Sequence, residues 1–126
     1  MTNRILVVED NEINQKIILA NLRSLGFAVV LAETGQQAIN FVRSEDFGLI
    51  FMDYHMPEMD GIACTRAIRE LQQEHALLKT PVIALTADIS PDAMSNCIAA
   101  GMNGYLSKPY TKSQLTTVLS KWIKQS

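Results

Sequence analysis

The chain has 126 residues, 48% of them hydrophobic and 19% charged, with a net charge of −2. That length and balance point to one soluble globular domain over 1–126 and exclude a disordered tail or a strongly basic nucleic-acid binder. Met1-Thr2-Asn3-Arg4 opens no apolar leader, and no run approaches the ~20 apolar residues of a membrane span, so neither membrane contact nor export is expected. Cys64 and Cys97 lie far apart without CxxC spacing, which reads as two small buried hydrophobes in a reducing, cytoplasmic compartment.

Short apolar runs alternate with helix-like segments along the chain. The first run, 4–8, ends on Glu9-Asp10, and the segment after it carries Ile18, Leu22 and Leu25 at i, i+4, i+7 before a stop at Gly26. The second run, 28–32, leads to a helix that Thr34 can cap and that buries Ala38 and Val42. The third, 48–52, ends just before Asp53, with Pro57 four positions further on. Asp60 can cap the next helix, with Cys64, Ile68 and Leu71 inward. The fourth run, 81–85, is followed by Thr86, and Ser90-Pro91 reads as N-cap and N1 of a helix with Met94 and Ile98 inward and Gly101 at its end. The fifth, 103–106, precedes Lys108-Pro109, and Thr111 with Gln114 matches a capping box before Leu115, Leu119 and the packing anchor Trp122.

The first, third and fourth runs do not alternate with polar residues, as expected of strands covered on both faces of a parallel sheet. Repeated βα units with right-handed crossovers predict an α/β fold: a flavodoxin-like (βα)5 doubly wound sandwich with a five-stranded parallel sheet of order 2-1-3-4-5. Ligands of such sheets bind beyond the carboxyl ends of the strands at the switch point of strand order. This order brings Glu9-Asp10 beside Asp53, with Thr86 and Lys108 arriving from the fourth and fifth strands.

Crowded carboxylates repel, and a hard cation relieves them. Mg²⁺ takes oxygen ligands and one or two carboxylates, so Asp10 and Asp53 are candidate ligands, Glu9 can act through water, and a carbonyl after Asp53 can add an oxygen. The oxygen-only set argues against zinc. Asp53 is also a candidate nucleophile toward a phosphoryl group, giving an aspartyl phosphate, with Lys108, the Thr86 hydroxyl and nearby backbone N–H groups holding phosphoryl oxygens. Taken singly, each residue has a plainer role: Glu9 and Asp10 cap a helix, Asp53 forms a turn, Thr86 satisfies backbone, Lys108 is surface charge, and His55 and His75 are solvated. Their joint arrival at the same strand ends favours a site. The residues alone leave the isomer of the Lys108-Pro109 bond open.

At these positions the chain resembles the receiver (response-regulator) domain of two-component phosphorelays, over essentially its whole length. Ile5-Leu6-Val7-Val8-Glu9-Asp10-Asn11 resembles the opening strand and acidic pair, and Met52-Asp53-Tyr54-His55-Met56-Pro57-Glu58-Met59-Asp60-Gly61 the phosphoacceptor loop. Leu85-Thr86-Ala87 resembles the switch-hydroxyl strand, and the stretch from Ala99 to Lys108-Pro109 the closing strand and lysine. The resemblance implies that Asp53 accepts a phosphoryl group from a partner's phosphohistidine, and that Glu9, Asp10, Asp53 and the His55 backbone carbonyl bind Mg²⁺. It further implies that Lys108 and Thr86 touch the phosphoryl group, that Tyr105 reorients with it, that Lys108-Pro109 is cis, and that the α4-β5-α5 face signals. Such a receiver is no conventional enzyme: it phosphorylates and slowly dephosphorylates itself. Asp10 to Gln15, with Asp60 to Arg69, is most similar to receivers fused to hybrid sensor histidine kinases, which exchange phosphate with a histidine phosphotransfer domain. The expected partner is therefore a histidine kinase or a phosphotransfer domain, and the chain is either excised from the cytoplasmic part of a membrane-bound sensor kinase or a stand-alone response regulator. Oligomeric state is left open. His55 and Asp88, two residues beyond Asp53 and Thr86, stand where they can tune the lifetime of the phosphoryl group.

Three other classes fit less well. A haloacid-dehalogenase-like aspartyl phosphatase wants an acid where His55 stands, and a flavin or nucleotide carrier would meet repulsion from Glu9-Asp10-Asn11-Glu12. A receiver-like module that has lost phosphorylation would not keep Glu9, Asp10, Asp53, Thr86 and Lys108 together.

Overall fold

The computed structural model describes residues 4–77 and 79–123. Residues 1–3, read above as opening no leader, and 124–126, the end of the expected 1–126 span, lie outside the described residues. The elements alternate as β1 (Arg4–Val8), α1 (Glu12–Ser24), β2 (Ala28–Ala32), α2 (Gly35–Ser44), β3 (Leu49–Asp53), α3 (Gly61–Glu74), β4 (Val82–Thr86), α4 (Pro91–Ala100), β5 (Gly104–Ser107) and α5 (Lys112–Trp122). All strand pairs are parallel, and the sheet order is β2-β1-β3-β4-β5, the order expected.

The sheet separates two cores because successive side chains of a strand point to opposite faces. In β1, Leu6 and Val8 join one core with Ala38, Val42, Cys64, Ile68 and Cys97 from α2, α3 and α4. Ile5 and Val7 join the other with Ile18, Leu22, Leu115 and Leu119 from α1 and α5. Every residue of β3 and β4 is buried, which is why those runs carry no polar alternation. The edge strands β2 and β5 are only partly covered. Trp122 is half-buried against the second core, as its packing role requires. Both cysteines are free and buried, and burial pushes the Cys64 thiol up to about 12.

Side-chain caps start every helix. Asn11, Thr34, Asp60, Ser90 and Thr111 accept from the backbone N–H three residues on, at 2.8–3.3 Å. Each such cap is worth about 1 kcal/mol. The cap of α1 is Asn11, not Glu9 or Asp10, which leaves both acids for other work. Thr111 and Gln114 complete the expected capping box.

Two expectations are corrected. Asp53 and Thr86 are the last residues of β3 and β4 rather than the first residues beyond them, so both are buried with their strands. Ile98 does not face inward: it is 73% exposed, while Ala93, Cys97 and Ala100 form the buried stripe of α4. Ser90 sets the phase, since a helix starting at Pro91 repeats its inner face at 93, 97 and 100. Among the described residues, no helix is long and apolar enough to cross a membrane.

Helix α3 ends in a Schellman turn whose left-handed position is an alanine. The N–H of Leu77 donates to the Gln72 carbonyl at 2.8 Å, and Ala76 holds φ +52. Glycine suits that conformation because it lacks the clashing Cβ. Ala76→Gly is expected to stabilise the protein by about 0.5–1 kcal/mol. The check is a higher urea midpoint at unchanged slope, and a lower midpoint would contradict the strain.

Candidate functional site

Parallel pairing aligns Val8 with Met52 and Asp53 with Leu85, so β1, β3 and β4 end at one edge. Glu9 continues past β1, its N–H donating to the Ala32 carbonyl at 3.0 Å. The carboxylates of Glu9, Asp10 and Asp53 present oxygens that lie within 4.8 Å of one another. Glu9 is 1% exposed and Asp53 5%, whereas Asp10 faces solvent. Lys108, just past β5, reaches back across the edge: Nζ lies 3.2 Å from Asp53 Oδ1 and 3.3 Å from Glu9 Oε1. The Lys108-Pro109 bond is cis.

The electrostatic balance decides what this arrangement can hold. When ionised, three carboxylates against one ammonium leave two negative charges uncompensated in a site that is largely shielded from water. Glu9 bears the strain. Burial, then the hydrogen bond and the charge of Asp53, push its carboxyl up to about 7, against the opposing pull of Lys108 and the Asn11 N–H. A hard divalent cation supplies the missing charge, and the donor set is oxygen only. Those two observations fit Mg²⁺, with Glu9, Asp10 and Asp53 as the residues that could hold it.

The loop after β3 is fixed at both ends. Tyr54 N–H donates to the Leu85 carbonyl and Gly61 N–H to the Tyr54 carbonyl, each at 3.0 Å. Between them, Met59 N–H reaches the Pro57 carbonyl at 2.7 Å around Glu58, whose φ is +68. That is a three-residue γ-turn, a strained form in a short loop. Gly61 permits the close approach of α3, because a Cβ there would overlap the Asp53 carbonyl oxygen.

The other expected residues fall around this centre. Thr86 is 1% exposed, and its hydroxyl is engaged with Asp88: Oγ1 accepts from the Asp88 N–H at 3.0 Å and donates to the Asp88 carbonyl at 3.3 Å. Asp88 is exposed, and the Ser90 N–H on its Oδ1, then the Ser90 side chain and last the charge of His55, hold its carboxyl below the usual range. His55 is exposed, with its ring edge-on to Tyr54 at 4.7 Å. Tyr105 is 50% exposed beside a cleft of about 230 Å³ that Met94, Ile98 and Met102 help to line.

Several residues to which the sequence reading gave no part in the site support the centre. Gln15 donates to the Glu9 carbonyl at 2.8 Å, and the Asn11 N–H reaches Glu9 Oε2 at 3.3 Å. Tyr110, half-buried, has its phenol pushed up to about 12, by burial and then by the charges of Glu9 and Asp53. With Ile17 and Pro109 it lines a cleft of about 370 Å³ that Lys108 and Ala87 also border. A polar Gln15 on the inner face of an otherwise apolar helix stripe was the one available signal.

The chain belongs to the response regulator receiver domain family, whose profile matches residues 5–120. It is 42% identical over 121 residues to hybrid signal transduction histidine kinase M of Dictyostelium discoideum, across 94% of this chain and 5% of that protein. It therefore spans a small fraction of that relative's length. It is also similar to the receiver domain of sensor histidine kinase PA1611 from Pseudomonas aeruginosa PAO1, solved with a magnesium ion in the active site cleft. That match has 41% identity, a TM-score of 0.87 and 98% coverage of both chains. A chain in the co-crystal of the Saccharomyces cerevisiae histidine phosphotransfer protein Ypd1 with the receiver domain of Ssk1 matches at 31% identity and TM-score 0.90, covering 96% of this chain and 88% of that one.

The displaced Glu9 carboxyl makes stability depend on pH. Between its ordinary value of 4.5 and about 7, the folded protein keeps a proton that the unfolded chain has lost. Stability from this group therefore falls as pH rises through that window and levels off above it. Without divalent cations, the urea midpoint is expected to drop between pH 5 and 7.5 more steeply in the native protein than in Glu9→Gln. Parallel slopes in the two proteins would contradict the assignment.

Proposed function

We propose that this chain is a phosphorelay receiver that takes a phosphoryl group from phosphohistidine onto Asp53, in a Mg²⁺-dependent reaction, and then switches its α4-β5-α5 face. The observation that carries this reading is the Lys108 ammonium bridging buried Asp53 and Glu9 in a site still short of two positive charges. Asp53 attacks phosphorus with a carboxylate oxygen as the phosphorus–nitrogen bond breaks, and the imidazole keeps the electron pair and takes up a proton. Glu9, Asp10, Asp53 and the His55 backbone carbonyl would hold Mg²⁺, which would supply charge to offset the phosphoryl oxygens. Lys108 holds an oxygen on the other side. A hybrid histidine kinase exchanging phosphate with a phosphotransfer domain is the proposed setting, supported by the hybrid-kinase relative and by the co-crystallised phosphotransfer protein.

The new charge draws the Thr86 hydroxyl away from Asp88, and Tyr105 turns from its exposed position toward the neighbouring cleft. Incubation with Mg²⁺ and a small acyl phosphate is expected to add one phosphoryl group by intact mass. The group should be labile to hydroxylamine, absent in Asp53→Ala and absent with chelator. A folded protein that never gains it would overturn the reading.

His55 and Asp88, both exposed and two residues beyond Asp53 and Thr86 respectively, interact electrostatically, which supports a role in the lifetime of the aspartyl phosphate. Replacing either is expected to change the decay rate by at least about threefold, on the order of 0.6 kcal/mol in the barrier. Unchanged decay in both His55→Ala and Asp88→Ala would remove them from that role.

A further inference from the structure

Helix α4 is held very differently at its two ends. At the C-terminal end, the half-buried Arg69 of α3 places all five of its N–H donors. Nε and Nη2 donate to the Gly101 carbonyl at 3.0 and 2.8 Å, and Nη2 also donates to Asn103 Oδ1 at 2.9 Å. Nη1 donates to the Thr80 carbonyl and to Gln72 Oε1, each at 2.8 Å. Asn103 carries the clamp into β4, accepting from the Val82 N–H at 2.9 Å and donating its own N–H to the Val82 carbonyl at 2.8 Å. The turn itself is closed by Gly101 N–H on the Ile98 carbonyl and Met102 N–H on the Cys97 carbonyl, both at 3.0 Å. A Cβ at Gly101, which holds φ +104, would press on Arg69 Cγ at 2.9 Å. A cation at a helix C-terminus also complements the helix dipole.

Among the described residues, the N-terminal end has no such anchor. Residues 87–92 are exposed in succession. Among the described residues, the side-chain hydrogen bonds that link them to the sheet form one chain: Thr86 Oγ1 to the Asp88 backbone, Asp88 Oδ1 to the Ser90 N–H at 3.0 Å, and Ser90 Oγ to the Ala93 N–H at 3.3 Å. The chain runs from the switch hydroxyl to the first turn of α4.

We propose that α4 works as a lever, pinned at Gly101 by the positioning residue Arg69 and moved at its N-terminal end through Thr86, Asp88 and Ser90. This rests on the phosphoryl-switch reading above. A helix of this length spans roughly 15 Å, so a tilt of roughly 10° about Gly101 shifts the free end by roughly 2.5 Å and the pinned end hardly at all. The cleft beside Tyr105 lies along the lever, with Met94 on its moving half and Met102 and Asn103 at the pivot. Tilting therefore changes its width on the Met94 side, where a turning Tyr105 ring needs room. Without the clamp, displacement of Thr86 would slide or fray the whole helix instead of tilting it.

The test is amide hydrogen exchange, read by mass spectrometry, on the full chain before and after phosphorylation with Mg²⁺ and an acyl phosphate. Intact mass reports modification separately, so a chain that takes no phosphoryl group counts against the switch reading rather than the lever. In the modified native protein, exchange is expected to shift across 87–95 and stay unchanged across 98–103. In Arg69→Gln, modified to the same extent, the shift is expected to spread into 98–103. In Ser90→Ala it should weaken at 91–95. Asn103→Ala, which removes one anchor at an exposed position, repeats the Arg69 comparison if that variant folds poorly. A modified native protein that shifts equally at both ends, or clamp variants that keep the native profile, would overturn the lever.

Discussion

The mutual repulsion of Glu9, Asp10 and Asp53 is the constraint around which this molecule is arranged. Three acids at one sheet edge, two of them hidden from water, are unfavourable unless something rigid holds them and something positive faces them. The rigidity comes from three adjacent strands whose side chains are buried on both faces. Gly61 lets α3 close against the back of Asp53. The positive charge comes from Lys108, which belongs to the last strand's exit and meets acids contributed by the first and third. One lysine is not enough, and the remaining imbalance is what a hard divalent cation would offset.

The same edge joins chemistry to shape. Thr86 belongs to both: it ends β4 beside Asp53 and its hydroxyl is spent on Asp88 at the start of the α4 loop. On the reading proposed above, that hydroxyl serves either the loop or a phosphoryl group in the site, and the competition would make the loop a two-state element. Tyr105 sits on the neighbouring strand, paired across from Ala84, next to a cleft able to receive part of its ring.

Much of this was legible in the sequence, for definite reasons. Continuous apolar runs fix buried parallel strands, and four polar groups at their ends fix where a site lies, because strand order leaves them one common edge. What was not legible depends on phase or on distance. Ile98 and Cys97 are both apolar, and only the helix start at Pro91 decides that Cys97 turns inward. The one-residue shift that buries Asp53 and Thr86 depends on strand pairing, Asp53 with Leu85 and Thr86 with Ser107, which no local pattern encodes. Arg69 entered the sequence reading only as the end of the Asp60–Arg69 segment, with no role of its own. Its four partners are scattered from Gln72 to Asn103 and meet only in three dimensions.

The Lys108 contacts join positions separated by 99 and 55 residues. The complete cluster therefore exists only once the edge strand β5, four residues long, is docked. A ligand that needs the whole cluster stabilises the fully assembled chain and none of its fragments or partly opened forms. Occupancy of the site would thus double as proofreading: a truncated or unzipped copy, however well its first strands have formed, would have no complete address at which a signal could be written.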